Sequence, residues 1–330
     1  MNKANKSAII IEIVIFIAAG LLLLLYFYAD NRILTMEDQE GREAMLERHY
    51  AFVSQDDSDL WRAVYAAAHT QAELSSDYME WIGEDSPVSY GIEDKLRIAA
   101  ASGVDGIILH QSADDDLTEL IDGAWEKGIP VVMALEDDPE SSRISYVGVN
   151  NYQMGENYAE QVLKCLKDGL NRVQVLSGGS IGEGGPALMY NRMTQVIEQN
   201  REEGQHVAID VLEIDSRSSF ETEEAIRDLF LGGSAIPDIL VCLDPVTTEC
   251  VAQALVEYNE VGYVSVIGFY ASDAVQEEVE RGIIHSALGI DAKQMGEVLV
   301  NALNEYREQG RVSDYFNVGL FVLDSESEAS

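Results

Sequence analysis

The chain has 330 residues, of which 47% are hydrophobic, and its 59 Asp and Glu outweigh 21 Lys and Arg to give a net charge of −38. That apolar content supports a sizeable core and excludes general disorder. So acidic a chain repels nucleic-acid phosphates and gains nothing from an anionic lipid surface, which sets nucleic acid aside as a partner.

The first predicted element is the apolar run over residues 8–29, "AIIIEIVIFIAAGLLLLLYFYA", whose single charge is Glu12. About 20 such residues cross the hydrocarbon core as a helix. Lys3 and Lys6 precede the run, and Tyr26, Phe27 and Tyr28 close it, so the basic-inside and aromatic-belt signals agree. The run is longer than the roughly 7–15 apolar residues of a cleaved signal, and Phe27 stands where a small residue is wanted before a cut after Ala29. No Cys close behind it could accept a lipid, since the first is Cys165. We read residues 1–29 as a retained signal-anchor transmembrane helix, with cleavage as the alternative. It places the rest of the chain outside the cytoplasm, single-pass at the cell membrane. Residues 30–48 read as a short polar tether.

Beyond the tether, strands and helices alternate. "HYAFVS" (49–54) reads as a strand and "DLWRAVYAAAHTQAELS" (59–75) as a helix with apolar spacings of three and four. "YMEWIG" is a strand, "IEDKLRIAAASG" a helix, and residues 104–135 supply strand, helix and strand again. Those two strands end in polar tips, His110-Gln111-Ser112 and Glu136-Asp137-Asp138. "ISYVGVNN" feeds the helix "YQMGENYAEQVLKCLKDG", with Gly169 expected as its C-cap. The second half repeats the scheme from "RVQVLS" to "IIHSALGI", followed by the helix "DAKQMGEVLVNALNEYREQG". "FNVGLFVLD" (316–324) reads as one last strand, and residues 325–330 as a frayed tail. Single helices between strands give right-handed parallel βαβ units, and so many units predict two doubly wound sheets rather than one. In such sheets ligands lie beyond the carboxyl ends of the strands, where both polar tips fall.

Cys165, Cys242 and Cys250 are an odd set with the character of buried free thiols, although Cys242 and Cys250 leave a pairing open. The five His form no ligand cluster, so neither a metal nor a cofactor is expected.

The stretches "ASGVDGIILHQSADDDLTELIDGAWEKGIPVVM", "SYVGVNNYQMGENYAEQV", "VSVIGFY", "EEVERGIIHSAL" and "DAKQMGEVLVNAL", in this order and spacing, resemble the type I periplasmic sugar-binding proteins. These are the ribose- and galactose-binding group, which shares its core with LacI-type repressors; here an anchor stands in place of a DNA-binding domain. The resemblance runs from about residue 49 to 324. It implies an α/β fold of two doubly wound parallel-sheet lobes, joined by a three-strand hinge and closing on a ligand. The lobes it implies are 49–150 plus 291–315, and 151–290 plus 316–324.

Carried onto this chain, the family's ligand positions give a partly altered site. The segment after the first strand offers Asp57, Ser58 and Trp61, the last able to stack on a sugar's C–H face. The third-strand tip matches His110. The family's Asp-Arg pair falls on Leu135-Glu136, a departure. Its later Arg matches Arg192, a bidentate hydroxyl clamp, and its next polar position matches Asp244. The Asp that usually ends "VIGFD" is Tyr270, and the later Gln falls on Ile290. The acidic bias keeps an amine-bearing or otherwise modified sugar open beside a plain small sugar.

"LSGGSIGEGGPA" also fits G-x-S-x-G around Ser180, with Asp244 and His285 following in hydrolase order. Gly184-Gly185-Pro186 delays the helix, however, where a nucleophile elbow needs one at once. The same loop gives G-x-G-x-x-A at Gly182, Gly184 and Ala187, a poor dinucleotide fingerprint. A serine hydrolase therefore stands third. Ahead of it come an extracytoplasmic solute-binding protein serving an ABC permease, and a ligand-sensing subunit that signals to a membrane histidine kinase.

Overall fold

The structure, a computed structural model, describes residues 48–325 except 85, 87, 113–114, 180, 183, 215–218 and 234. The anchor (1–29) and nearly all of the tether expected from the sequence lie outside the described residues. So do all but the first residue of the tail. Among the described residues no helix is long and apolar enough to cross a membrane.

Strands β1 (His49–Val53), β2 (Tyr78–Trp81), β3 (Gly106–Leu109), β4 (Val131–Ala134) and β5 (Ser145–Gly148) alternate with helices α1 (Asp59–Leu74), α2 (Ile92–Ser102) and α3 (Thr118–Glu126). After α4 (Asn151–Cys165) the pattern resumes as β6 (Gly169–Ser177), α5 (Gly184–Asn200), β7 (Gln205–Glu213), α6 (Ser219–Leu231), β8 (Ile239–Cys242), α7 (Pro245–Glu257), β9 (Ser265–Phe269), α8 (Asp273–Glu280) and β10 (Ser286–Ile290). Helix α9 (Ala292–Gln309) and strands β11 (Tyr315–Asn317) and β12 (Leu320–Asp324) complete the order.

These strands form two six-stranded sheets, β11-β5-β4-β3-β1-β2 and β12-β10-β9-β8-β6-β7. Every pairing is parallel except β10 with β12. Strands β3, β4 and β8 are buried along their whole length, which is why they read as unbroken apolar runs rather than alternating ones.

The chain passes between the sheets three times, after β5, after β10, and between β11 and β12. The passages lie side by side: Val318 N–H donates to Gly148 O (2.8 Å), and Asp291 N–H donates to Gly319 O (3.1 Å). The single strand expected over 316–324 is in fact two, one on each sheet, and the crossing falls at Val318-Gly319 rather than after residue 315. Only two residues separate the strands and Val318 is itself fully buried, so nothing in the local pattern marks the break.

A four-residue repeat marks the start of each helix that follows a crossing, Gln153-Met154-Gly155-Glu156 in α4 and Gln294-Met295-Gly296-Glu297 in α9. Asn150 and Asp291 cap these helices by accepting from Gln153 N–H (3.1 Å) and Gln294 N–H (2.8 Å). Each glycine lets a second helix approach closely. A Cβ at Gly155 would overlap Met189 O of α5, and one at Gly296 would overlap Val64 O of α1. Helix α4 thus packs on α5 in the second lobe, and α9 returns to pack on α1 in the first. Helix α4 ends at Cys165, with Leu166 as its C-cap. Gly169 does not cap it but opens β6 at φ +96°. All three cysteines are free thiols.

Candidate functional site

Both sheets present their carboxyl ends to one cavity of about 170 Å³. From the first lobe come Asp56, Leu60 and Trp61 after β1, His110, Gln111 and Ser112 after β3, and Leu135 and Glu136 after β4. From the second come Ser177 at the end of β6 with Gly178 and Gly179 behind it, Leu243 and Asp244 after β8 with Pro245 opening α7, and Phe269 at the end of β9. Val149 of the first crossing, with Asn151 and Met154 of α4, closes one side, and Pro186 and Met189 of α5 another.

Trp61 is 1% exposed, and its ring stacks on His110 with centroids 3.8 Å apart and planes tilted by 25°. His110 Nδ1 lies 3.0 Å from Ser54 Oγ. Burial pushes the His110 pKa down to about 3, so the imidazole is neutral.

Asp56 accepts from Ser58 N–H (2.8 Å). Burial raises its pKa, opposed by its bonds to Ser58. Asp244 caps α7, accepting from Thr247 N–H (2.8 Å) and from Thr247 Oγ1 (2.6 Å). Burial raises its pKa, the Thr247 bonds oppose the rise, and repulsion from Asp56 adds to it. Glu136 is the most perturbed of the three: burial and then Asp137 push it up to about 7.

The strand ends that deliver these groups are bent. Glu136 N–H donates to Ala134 O (2.9 Å), an i→i+2 bond that makes Leu135 the centre of a γ-turn at φ +67°. Positive-φ γ-turns are strained, and this one is held by bonds from Leu135 N–H to Val147 O (2.9 Å) and from Tyr146 Oη to Leu135 O (2.6 Å). Tyr270, at the matching end of β9, also lies at positive φ, +62°. Backbone strain at both rims fits a site built for placement rather than stability.

Of the residues expected from the sequence, Trp61, His110, Glu136 and Asp244 line the cavity, whereas Asp57, Ser58, Arg192 and Tyr270 do not. Asp57 turns to solvent, its side chain 82% exposed, and pairs with Arg62 (3.1 Å); its neighbour Asp56 takes the inward place. Ser58 stands at the N-cap of α1 with its hydroxyl buried. Arg192 ties α5 to α4 by pairing with Glu156, and its guanidinium lies 4.1 Å over the Tyr152 ring. Met189, nearly one turn earlier, reaches the cavity instead. Tyr270 packs on the core while Phe269 lines the site.

Sequence reasoning missed Asp56, Gln111, Asn151, Ser177 and the methionines. The polar tip after β3 held the signal for Gln111, and the "NN" before α4 held the one for Asn151.

Ser180 of the G-x-S-x-G motif lies outside the described residues. His285 precedes β10, at the end of the sheet opposite to Gly179 and Asp244, and its pKa reflects burial, Lys164 and Asp324. His285 and Asp244 therefore do not form the His–Asp pair that a hydrolase needs. Among the described residues no group of His, Cys, Asp and Glu could hold a metal ion.

A family model described as "Periplasmic binding protein domain" matches residues 50–311. No curated protein matches the chain. Among solved structures, the XylFII–LytSN complex is similar with 22% identity and a TM-score of 0.72, covering 85% of this chain and 99% of that one. GanP, a glucose-galactose binding protein from Geobacillus stearothermophilus, gives 23% identity and a TM-score of 0.71, over 84% of this chain and 98% of that one. An ABC transporter solute binding protein from Agrobacterium vitis with bound D-fucose gives 20% and 0.72, over 85% and 96%. At these identities the likeness shows the fold.

Proposed function

Since the chain belongs to the periplasmic binding protein domain family, over residues 50–311, we propose that it is a solute-binding protein whose lobes close on a small sugar or modified sugar. The observation that carries this reading is the cavity itself, whose walls come from both sheets and whose floor carries the chain between them. A ligand held there contacts both lobes only when they are shut, and that difference in contacts is all that closure requires. His110, backed by the buried Trp61 ring on which it stacks, brings an aromatic surface to the cavity wall for sugar C–H groups. Asp56, Glu136 and Asp244 offer acceptors to hydroxyls, and charge-assisted bonds of this kind are the strong ones. The protein is not an enzyme: it holds a guest and releases it unchanged.

The anchor read over residues 1–29 would tether this unit outside the cytoplasm, and delivery to an ABC permease is the first role we assign. Sensing is the second, favoured by the relative XylFII, which forms a complex named XylFII–LytSN. Neighbouring permease and ATPase genes would point to uptake, and kinase and response-regulator genes to sensing.

The test is a thermal-shift screen of the compact unit from Arg48 against pentoses, hexoses and amino sugars. A ligand at 100 times its dissociation constant stabilises by about 2.7 kcal/mol. A shift that Asp244→Asn and Trp61→Phe both diminish is the expected result. Silence across the panel would overturn the sugar reading.

A further inference from the structure

The charged side chains that line the cavity among the described residues are all acidic: Asp56, Glu136 and Asp244. No Lys or Arg among them reaches it, because the one Arg expected there, Arg192, is spent on Glu156 and Tyr152. Asp56 and Asp244 face one another across the cavity closely enough that Asp56 raises the pKa of Asp244, with no cation among the lining residues to offset them.

The neutral groups add acceptors too. Ser177 Oγ donates its only proton to Gly179 O (2.7 Å), leaving lone pairs for a guest. Ser54 Oγ donates to Asp56 O (2.9 Å) and accepts from Asp56 N–H (3.1 Å). That network assigns the proton on His110 to Nδ1, which donates to Ser54, and leaves Nε2 an acceptor. Gln111 is 6% exposed, lines the cavity, and its buried Oε1 has no hydrogen-bond partner. A buried acceptor left unmet costs about 1–3 kcal/mol, and a guest donor that reached it on closure would recover that cost.

One feature points the other way. Helices α1, α4, α5 and α7 all begin at this crevice, and a helix N-terminus carries about half a positive charge. Three of those ends are already engaged: Asp244 accepts at α7, Asn150 at α4, and Asp56 takes Ser58 N–H ahead of α1. Asp56, Asp244 and a Glu136 that is about half ionised at pH 7 still outweigh what remains, and an ammonium beside Glu136 would draw it fully into its charged form. A neutral hydroxyl brings one donor and two acceptors, whereas an ammonium brings three donors, no acceptor and the missing charge.

We propose that the cavity selects a small hydroxylated ligand bearing a protonated primary amine, an amino sugar or amino polyol, over its neutral counterpart. This deepens the binding reading above and rests on it. The neutral sugar would strand acceptors of the wall, while the amine would meet several of them at once.

The experiment is calorimetric titration of the full chain at pH 7 with D-glucosamine and D-galactosamine, each beside its parent sugar and its N-acetyl derivative. At least one amine should bind about tenfold or more tighter than both its parent and its acetamide. Glu136→Gln and Asp244→Asn should each remove most of that preference, weakening the amine far more than the parent sugar. Asp57→Asn, whose carboxylate faces solvent, should leave the preference intact. Parent sugars that bind as tightly as the amines would overturn this inference and leave the sugar-binding reading standing. Binding of neither amines nor neutral sugars would overturn both.

Discussion

Glu136 carries a measurable conflict between stability and function. Its pKa is pushed up to about 7 in the folded protein, chiefly by burial, against 4.5 for the free side chain. A carboxyl whose folded pKa is raised favours the native state most when protonated. Its contribution is complete below the unfolded value and is lost as pH rises through the folded value. The gap of 2.5 units converts to about 3 kcal/mol at 1.36 kcal/mol per unit. The side chain opens on a cavity that admits water, so this is a ceiling and about half is a fair expectation. Glu136→Gln keeps the shape and removes the titration. Without ligand, the variant and the natural protein should unfold at the same temperature near pH 4. Above pH 7 the variant should be stabler by about 1–3 kcal/mol, roughly 2–6 °C in a chain of this size. Thermal unfolding between pH 4 and 8.5 measures the gap directly. Parallel curves, or a variant less stable at pH 8, would refute the claim that this carboxylate sits in the crevice at the expense of stability.

His110 predicts the opposite limb. Its folded pKa of about 3 lies below the 6.5 of free imidazole, so its contribution is present above pH 6.5 and lost as pH falls from there toward 3. His110→Asn should flatten acid unfolding in that window, by about 2 kcal/mol after allowing for cavity water, as seen in Tm against pH. Asp244→Ala should lower unfolding free energy by about 1 kcal/mol by uncapping α7, whereas Asp244→Asn, itself a good cap, should not; urea titration compares them. Gly155→Ala and Gly296→Ala should each cost about 1–3 kcal/mol, because the added methyl meets backbone of the facing helix. Chemical denaturation of the two variants reads that out, and neutral values would mean the helix pairs can separate freely.

The fold was legible because its signals are periodic and local. Strands buried on both faces, such as Gly106–Leu109 and Ile239–Cys242, stand out as short apolar runs, and the helices between them carry plain three- and four-residue spacings. The site was less so, because one residue of offset decides which side chain turns inward. Asp56 and Asp57 are indistinguishable in sequence, and the Asp56 bond to Ser58 N–H selects between them. Phe269 and Tyr270 are likewise separated only by the positive φ of the latter. Arg192 has the right chemistry but lies nearly a full turn too far along α5, where Glu156 claims it. The split of the last strand into β11 and β12 depends on partners far away in the chain and leaves no local trace.

That last pair of strands has a consequence for how the molecule is made. Tyr315–Asn317 and Leu320–Asp324 form the outer strand of each sheet, and the buried face of α1 waits for Met295, Leu299 and Leu303 of α9, more than 220 residues later. Neither lobe can therefore mature before residues 292–324 are available; the same late segment completes both. Contacts so distant in sequence form slowly. A polypeptide kept waiting in that unfinished state is well suited to threading through a narrow channel, and a prematurely terminated one would be marked for proteolysis by two raw sheet edges.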